Sequence, residues 1–475
     1  MTERLVTTGG CCLTTRLLQF THRDRNLAGS HLLSDSEQGP LKVKLLSAAT
    51  IRGRIVDADG VAQPGVILES RLPPGDATFG SLPPTPGYVF GIYRTDEEGR
   101  FEVRGLAADL KYSVSVSRPK KNAASESLGV FPKVLVLNAG ETRDLGDLIP
   151  AREAVAADVR PEREPQIVDT VYAVKGRVVD PAGKPVEGAQ VRAGRWFWTG
   201  FGNSVGLATA KSGSDGGFTL KIRRSQLNLR HPDKLWQFVE FAASAPGFGA
   251  AWASVSDSPE KALDLRLTRE QPVAGRVLDL QGKPVVGARV RVHAVQVSPD
   301  GNLDSKITAL QARAKGTSRR LVRPGKWSLT GRALPSMLHP NVTTGKDGRF
   351  SLNGLGAEQI VAVIIEGETI AAQIAYVMTR ENVPTIRVLR NERYPEFGRD
   401  TFVGASFQLV AEPTRIITGV VHDAESGQPI VGARVASVKR LGQPSFDFQT
   451  LTDSQGRYRM TGLGKADVPD WHREQ

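Results

Sequence analysis

The sequence predicts an all-β protein made of antiparallel β-sandwiches in tandem. Three observations carry that reading: a motif that returns four times, period-2 alternation inside it, and turn residues at fixed places between the alternating runs. The first motif reads IRGRIVDADGVAQPGVILES from Ile51, VKGRVVDPAGKPVEGAQVRA from Val174, VAGRVLDLQGKPVVGARVRV from Val273 and ITGVVHDAESGQPIVGARVAS from Ile417. Its anchoring glycines, Gly53, Gly176, Gly275 and Gly419, are 123, 99 and 144 residues apart. Those spacings are too long for a solenoid unit and suit whole domains.

A second element follows each copy: YRTDEEGRFEVRGL from Tyr93, ATAKSGSDGGFTLKI from Ala208, VTTGKDGRFSLNGL from Val342 and TLTDSQGRYRMTGL from Thr450. A third recurs as KYSVSVSRP at Lys111, FVEFAASAPGFG at Phe238 and QIVAVIIEGETI at Gln359. A closing element reads LGDLIPARE at Leu145, LDLRLTREQ at Leu263 and FQLVAEPTR at Phe407. Alternation is plain in Tyr112, Val114 and Val116 against Ser113, Ser115 and Ser117, the mark of a strand wet on one face. Between strands stand Asp-x-x-Gly-Lys-Pro and Asp-Gly-x-Phe. There Gly supplies positive φ, Pro presets φ and Asp bonds its own backbone. Short strands at such intervals, without sustained helical periodicity, define antiparallel sandwiches.

The pattern G-R-V-V-D-x-x-G-K-P-V-x-G-A-x-V, then D-G-x-F-x-L-x-x-L, resembles the carboxypeptidase regulatory-like domain over roughly residues 41–463. The resemblance implies tandem seven-stranded Greek-key sandwiches of prealbumin-like, carbohydrate-binding-like type. It implies no activity, because the matching positions, such as Gly188, Ala189 and Val191, are turn and core positions. In bacterial proteins such repeats imply a long chain working outside the cytoplasm.

The expected organisation follows from the repeats. Residues 1–38 match none of them and are expected to be unassigned and disordered, and 39–50 read as the closing strand of a missing earlier repeat, because GPLKVKLLSAATIRGRIV matches LDLRLTREQPVAGRVL. Repeat 1 is 51–152, a linker 153–171, repeat 2 172–270 and repeat 3 271–413. Repeat 4, 414–475, reads as truncated, without its third and closing elements. The chain is thus expected to be part of a longer array. The alternative is a closed arrangement in which Leu41–Leu46 completes the last repeat.

Composition excludes several function classes. The chain of 475 residues is 40% hydrophobic, with 49 Gly, 29 Pro and a formal net charge of +12. No apolar run approaches the ~20 residues of a membrane span. Residues 1–20 lack the apolar stretch of a secretory signal. Two adjacent cysteines, Cys11 and Cys12, supply neither a disulfide framework nor a complete metal site, and read as free thiols in a loose segment.

The reactive-looking motifs fail on their context. Gly202–Gly206 matches G-x-S-x-G, but a strand and a turn follow where a nucleophile elbow needs a helix. His422 and Glu425 match H-x-x-E, yet His422 fills the slot of Val56, Val179 and Leu278 and has no third ligand in sight. Asp57–Gly60 and Thr95–Gly99 hint at calcium but lack the full set of alternating oxygens. No catalytic residue, metal site or cofactor is expected.

Two candidate binding features remain. An insertion in repeat 3, residues 297–340, carries eight Lys/Arg and one acid, Asp304, within 301–335. Arg319, Arg320, Arg323 and Lys326 could grip an anionic polymer, against the ordinary reading of a solvated loop. One nearby aromatic, Trp327, and no recognition motif argue against specific nucleic-acid binding. Repeat 2 holds Trp196, Trp198, Trp236 and Trp252, and in Arg195-Trp196-Phe197-Trp198 alternation puts aromatics on both faces. Trp196, Phe197 and Trp198 are therefore candidates for a ligand platform, against the alternative of an inter-repeat packing surface. The leading expectation is a non-catalytic structural or interaction protein, with protein or glycan partners at the repeat loops. Carbohydrate binding, and an accessory region beside a separate functional domain, are the alternatives.

Overall fold

The computed structural model describes residues 4–6, 16–33, 39–71, 89–108, 110–118, 126–130, 134–149, 170–196, 204–227, 236, 239–254, 262–297, 301–316, 338–389, 399–437 and 448–464. It is all-β apart from one α-helix and a short 3-10 turn among these residues. Two compact units are present, one centred on residues 168–415, the other combining residues 13–167 with 416–460.

The first unit holds two sandwiches. In the second repeat Val171–Val179 is the middle strand of three, antiparallel to Gly217–Arg223 and parallel to Leu263–Arg266. The opposing sheet runs Ser204–Lys211, Gln190–Trp196, Val239–Ser244, Ala251–Ser254. The third repeat repeats this plan. Val273–Leu278 lies between Arg349–Leu352, antiparallel, and Ser406–Val410, parallel. Its opposing sheet is widened to six strands. Arg4–Val6, within the segment expected to be unassigned, adds a parallel edge strand beside Ser406–Val410.

The anchoring glycine of each motif has one physical cause. Gly53, Gly176 and Gly275 stand directly opposite Phe101, Phe218 and Phe350 of the Asp-Gly-x-Phe element. The aromatic ring lies over the glycine, so a Cβ at Gly176 would come within 2.6 Å of the Phe218 ring. This is an aromatic ring covering a bare backbone in a sheet. The turn glycines Gly60, Gly183, Gly282 and Gly427 all have φ between 68° and 85°, and the aspartate three or four residues earlier accepts backbone N–H groups across the turn.

A feature not read from the sequence recurs in all four copies. A buried hydroxyl, Thr95, Ser212, Thr344 or Thr452, accepts a backbone N–H and donates to a backbone carbonyl. Thr452 accepts from Ala433 N at 2.8 Å and donates to Ile430 O at 2.6 Å. Replacing it by Val leaves both backbone groups buried without that partner. Thr452→Val is expected to cost about 1–3 kcal/mol, read by urea unfolding.

The basic insertion departs from the expected loop. Residues Asp304–Ala314 form an α-helix, whose Leu310, with the preceding Leu303, packs on Ile360, Met378, Ile386, Val388 and Phe402. The strand Gln359–Glu366 is therefore buried at all but its last residue, because Val361, Val363 and Ile365 face the sandwich core. Arg380 donates to Glu358 at 2.8 Å and to Asp304 at 2.6 Å, while Glu358 accepts the Leu303 N–H at 2.9 Å. Two of the basic side chains are thus part of a docked helix: Arg313 donates to Leu389 O at 2.6 Å, and burial lowers the pKa of Lys306.

Within this unit the second and third repeats meet backbone to backbone. A Cβ on Gly249 would collide with Gly356, and one on Gly356 with Thr268. Ala250 N donates to Gly354 O at 3.0 Å, and Gly354 N to Glu270 at 2.7 Å.

In the second unit, the first repeat has Ala49–Ile55 between Arg100–Leu106 and the parallel Thr142–Leu148. The facing sheet runs Glu126–Val130, Lys111–Arg118, Ile67–Arg71, Val89–Arg94. The fourth repeat is built with strands from a distant stretch of the chain. Residues Arg16–His22, Leu27–Leu33 and Leu41–Ser47 enter it as three strands, giving seven in the order 449–451, 434–437, 16–22, 27–33, 41–47, 415–423, 457–463. This corrects two expectations. Arg16–His22 and Leu27–Leu33 are strands, and Leu41–Ser47 pairs in parallel with the fourth repeat from Leu41↔Gly419 to Leu45↔Asp423, the arrangement given above as the alternative.

Candidate interaction surface

The fourth sandwich is assembled from two stretches of chain that are far apart in sequence. Arg16–His22 takes the place of the third element, between Arg434–Ser437 and Leu27–Leu33, with Leu18↔Ser437 and Phe20↔Val435 opposite each other. It is a β-hairpin buried on both faces. Leu18 and Phe20 are fully buried, Leu27 and Leu33 are buried, and the loop between the strands is exposed. Phe20 meets Tyr458 edge to face, with ring centroids 5.6 Å apart. Leu45, in the closing strand, is also fully buried.

The receiving half contributes Val421, Ile430, Ala433, Val435, Tyr458 and Met460, all buried. Gly419 shows how the halves fit. A Cβ there would strike the Leu41 carbonyl and lie 2.7 Å from the Tyr458 ring. In the second repeat the same position faces the carbonyl of Leu263, its own closing strand. Leu41 is thus to repeat 4 what Leu263 is to repeat 2.

Polar contacts fasten the hairpin loop. His22 Nε2 lies 3.1 Å from Val431 O, and Arg25 forms an ion pair with Asp423. Asp423 accepts the N–H groups of Ser426 at 2.9 Å and Glu425 at 3.0 Å. The Ser426 N–H foremost, then that of Glu425 and the Arg25 charge, hold the Asp423 carboxyl below its ordinary pKa. A depressed folded-state pKa contributes stability above the unfolded value, near 3.9, that is lost as pH falls through the folded one. Asp423→Asn is therefore expected to be less stable than the parent at neutral pH, with the gap closing in acid below about pH 4. Denaturant unfolding of both proteins across pH checks this.

The segment is also tied to the first repeat. Only Ala48 separates Leu41–Ser47 from Ala49–Ile55. Gly140 N donates to Ser47 O and Ala48 N to Asn26 O, both at 2.7 Å, and Leu17 and Ala28 join the core of the first sandwich. Asn26 sits at φ 47°, a turn position that Asn tolerates, and its side chain donates to Ala48 O at 3.3 Å.

The sequence candidates are distributed as follows. Trp196 ends the strand Gln190–Trp196, while Phe197 and Trp198 lie outside the described residues. Of the other tryptophans in the repeat, Trp236 is buried against Tyr172 and Phe241, and Trp252 packs partly buried on the core of the third repeat. Arg319, Arg320, Arg323 and Lys326 lie outside the described residues, as do Cys11 and Cys12. Ser204 opens a strand, Ser204–Lys211, and pairs with Trp196. His422 forms a bridge to Pro429, as Val179 does to Pro185, and lies 3.2 Å from Gly427 O. The Asp57 and Asp96 carboxylates accept backbone N–H groups of their own turns. Among the described residues no cluster of three metal-ligating side chains occurs, and no helix is long and apolar enough to cross a membrane.

No family model matches the chain, and no curated protein matches it. Solved structures similar to it include a streptococcal ancillary pilin, at 11% identity, covering 77% of this chain and 99% of that one with a TM-score of 0.18. The shaft pilin SpaA from Lactobacillus rhamnosus GG follows at 13% identity, 47% and 97% coverage and a TM-score of 0.16. Hydroxyquinol 1,2-dioxygenase from Pseudomonas putida matches at 14% identity over 31% of this chain and 57% of its own, TM-score 0.16. The sandwich architecture stated above rests on the strand pairing itself.

Proposed function

We propose that the chain is a non-catalytic structural and interaction protein, built of carboxypeptidase regulatory-like modules and working outside the cytoplasm. The observation that carries this reading is the fourth sandwich, whose strands come from residues 16–47 and 415–463. The repeated motif residues support it, since their glycines, aspartates and hydroxyls are engaged in turns, ring contacts and sheet bonds. Variable loops then carry partner choice, as surface loops on a rigid scaffold do.

The topology has a mechanical consequence. Force applied between Thr15 and Gly464 passes through the fourth sandwich alone while its strands remain paired, and the other three are loaded in series only after it opens. Single-molecule extension from these two points is expected to show rupture of the fourth sandwich first, followed by the longer extensions of the other three. Extension in which a contiguous sandwich unfolds before residues 16–47 release contradicts the two-part assembly of the fourth sandwich.

A further inference from the structure

The fourth sandwich raises a question that the other three do not. Its donor strands, residues 16–47, and its receiving strands, residues 415–463, are joined within the sandwich by noncovalent contacts alone. The covalent route between them runs through the three other sandwiches. The donor is central: without Arg16–His22 both Arg434–Ser437 and Leu27–Leu33 lose a ladder partner. Without it, too, Val435 loses Phe20 from the opposite strand and Tyr458 loses its ring contact. An unfilled receiver is thus a sheet edge beside an apolar face, the surface that accepts an added strand.

The donor is not a loose tail. The single residue Ala48, the Gly140–Ser47 and Asn26–Ala48 bonds, and the packing of Leu17 and Ala28 in the first core attach it to the first sandwich. A released donor is therefore still presented as a shaped hairpin, which lowers the ordering cost of binding again. Every copy carries one donor and one receiver, and the same contacts are satisfied within a copy or between copies.

We propose that residues 16–47 of one copy complete the fourth sandwich of a second copy, so that chains join head to tail through the strand pairs that close a single copy. The occupant is a second copy of this chain. The interface is heterologous, so it yields closed rings or open filaments according to the angle at each joint. Closure within one copy dominates when dilute, because the donor's effective concentration is high, and exchange gains with protein concentration. The proposal rests on the two-part fourth sandwich and is independent of the structural role proposed above.

The test uses full-length chains with Cys11→Ser and Cys12→Ser. One version carries Gln19→Cys and a second Ala436→Cys, positions opposite each other across the donor–receiver pair. The two are mixed, unfolded in urea, refolded together and oxidised. The expected product is a pair of chains linked 19 to 436, its ratio to single chains rising in proportion to protein concentration. Absence of that link at every concentration overturns the proposal, as do 19–19 and 436–436 links as abundant as 19–436. A third chain carrying both cysteines separates the two levels of the argument. An internal 19–436 link in it confirms the two-part sandwich even where exchange between copies fails, and loss of that link refutes the sandwich itself.

Discussion

Phe20→Ala is expected to destabilise the fourth sandwich by about 3–5 kcal/mol, the range for removing a buried phenylalanine from a packed core. Phe20 is fully buried, lies edge to face on Tyr458 and stands opposite Val435. The loss combines the transfer of the ring to water, the cavity left between the strands, and the aromatic contact itself. Domains are commonly stable by only ~5–15 kcal/mol, so such a loss removes a large part of the total. The expected result is an early transition in urea unfolding that the parent lacks. Leu451→Ala, on the exposed edge strand Gln449–Leu451 of the same sheet, is the control. It is expected to change stability by no more than about 0.5 kcal/mol. Equal effects at the two positions would show that residues 16–22 are not part of the core.

The second large effect lies at the anchoring glycines, where the structure separates Gly176 from Gly53. A Cβ at Gly176 meets the Leu263 carbonyl and the Phe218 ring at separations no real contact shows. At Gly53 the corresponding neighbours are 3.0–3.1 Å away, so a shift of a few tenths of an ångström relieves them. Gly176→Ala is expected to cost about 1–3 kcal/mol or more through overpacking, and Gly53→Ala clearly less. Thermal unfolding of the two variants measures the order. A Gly176→Ala protein as stable as the parent would mean that the ring and closing strand move aside freely. That would remove the reason for glycine in the motif.

Much of this fold was legible because its signals are local. Strand alternation and the Asp-x-x-Gly turns each lie within a few residues, and three of the anchoring glycines fall on strands flanked on both sides, Ala49–Ile55, Val171–Val179 and Val273–Leu278. What stayed open is pairing at long range. The match between Leu41–Leu46 and Leu263–Arg266 identified the right element, a closing strand, but a sequence match does not say which sandwich the strand closes. That is decided by contacts such as Leu41 over Gly419, across nearly the whole chain. Residues 16–33 escaped because a donor hairpin repeats none of the sequence it replaces. Leu18, Phe20, Leu27 and Leu33 only need to be apolar at the buried positions.

The helix Asp304–Ala314 was hidden for a different reason. Its basic residues raise the charge of the insertion, and its burial depends on few apolar contacts, chiefly those of Leu303 and Leu310. The signal available was on the other partner: Gln359–Glu366 lacks the alternation of a half-wet strand, which means that something must cover its outer face. The buried Thr95, Ser212, Thr344 and Thr452 left a comparable signal that went unread, a hydroxyl one to three residues before the turn aspartate in every copy.

Hydrogen exchange of the parent and Phe20→Ala, read peptide by peptide, tests most directly whether residues 16–47 complete the fourth sandwich. With the donor weakened, amides in 417–422 and 434–436 are expected to lose protection together with those in 17–21 and 41–46. The loss should be about 10²–10⁴-fold, matching the core penalty, while those in 239–244 and 359–366 stay unchanged. Undiminished protection in 417–436 alongside rapid exchange in 16–33 would contradict the account, because the receiving strands would then be stable without their donor.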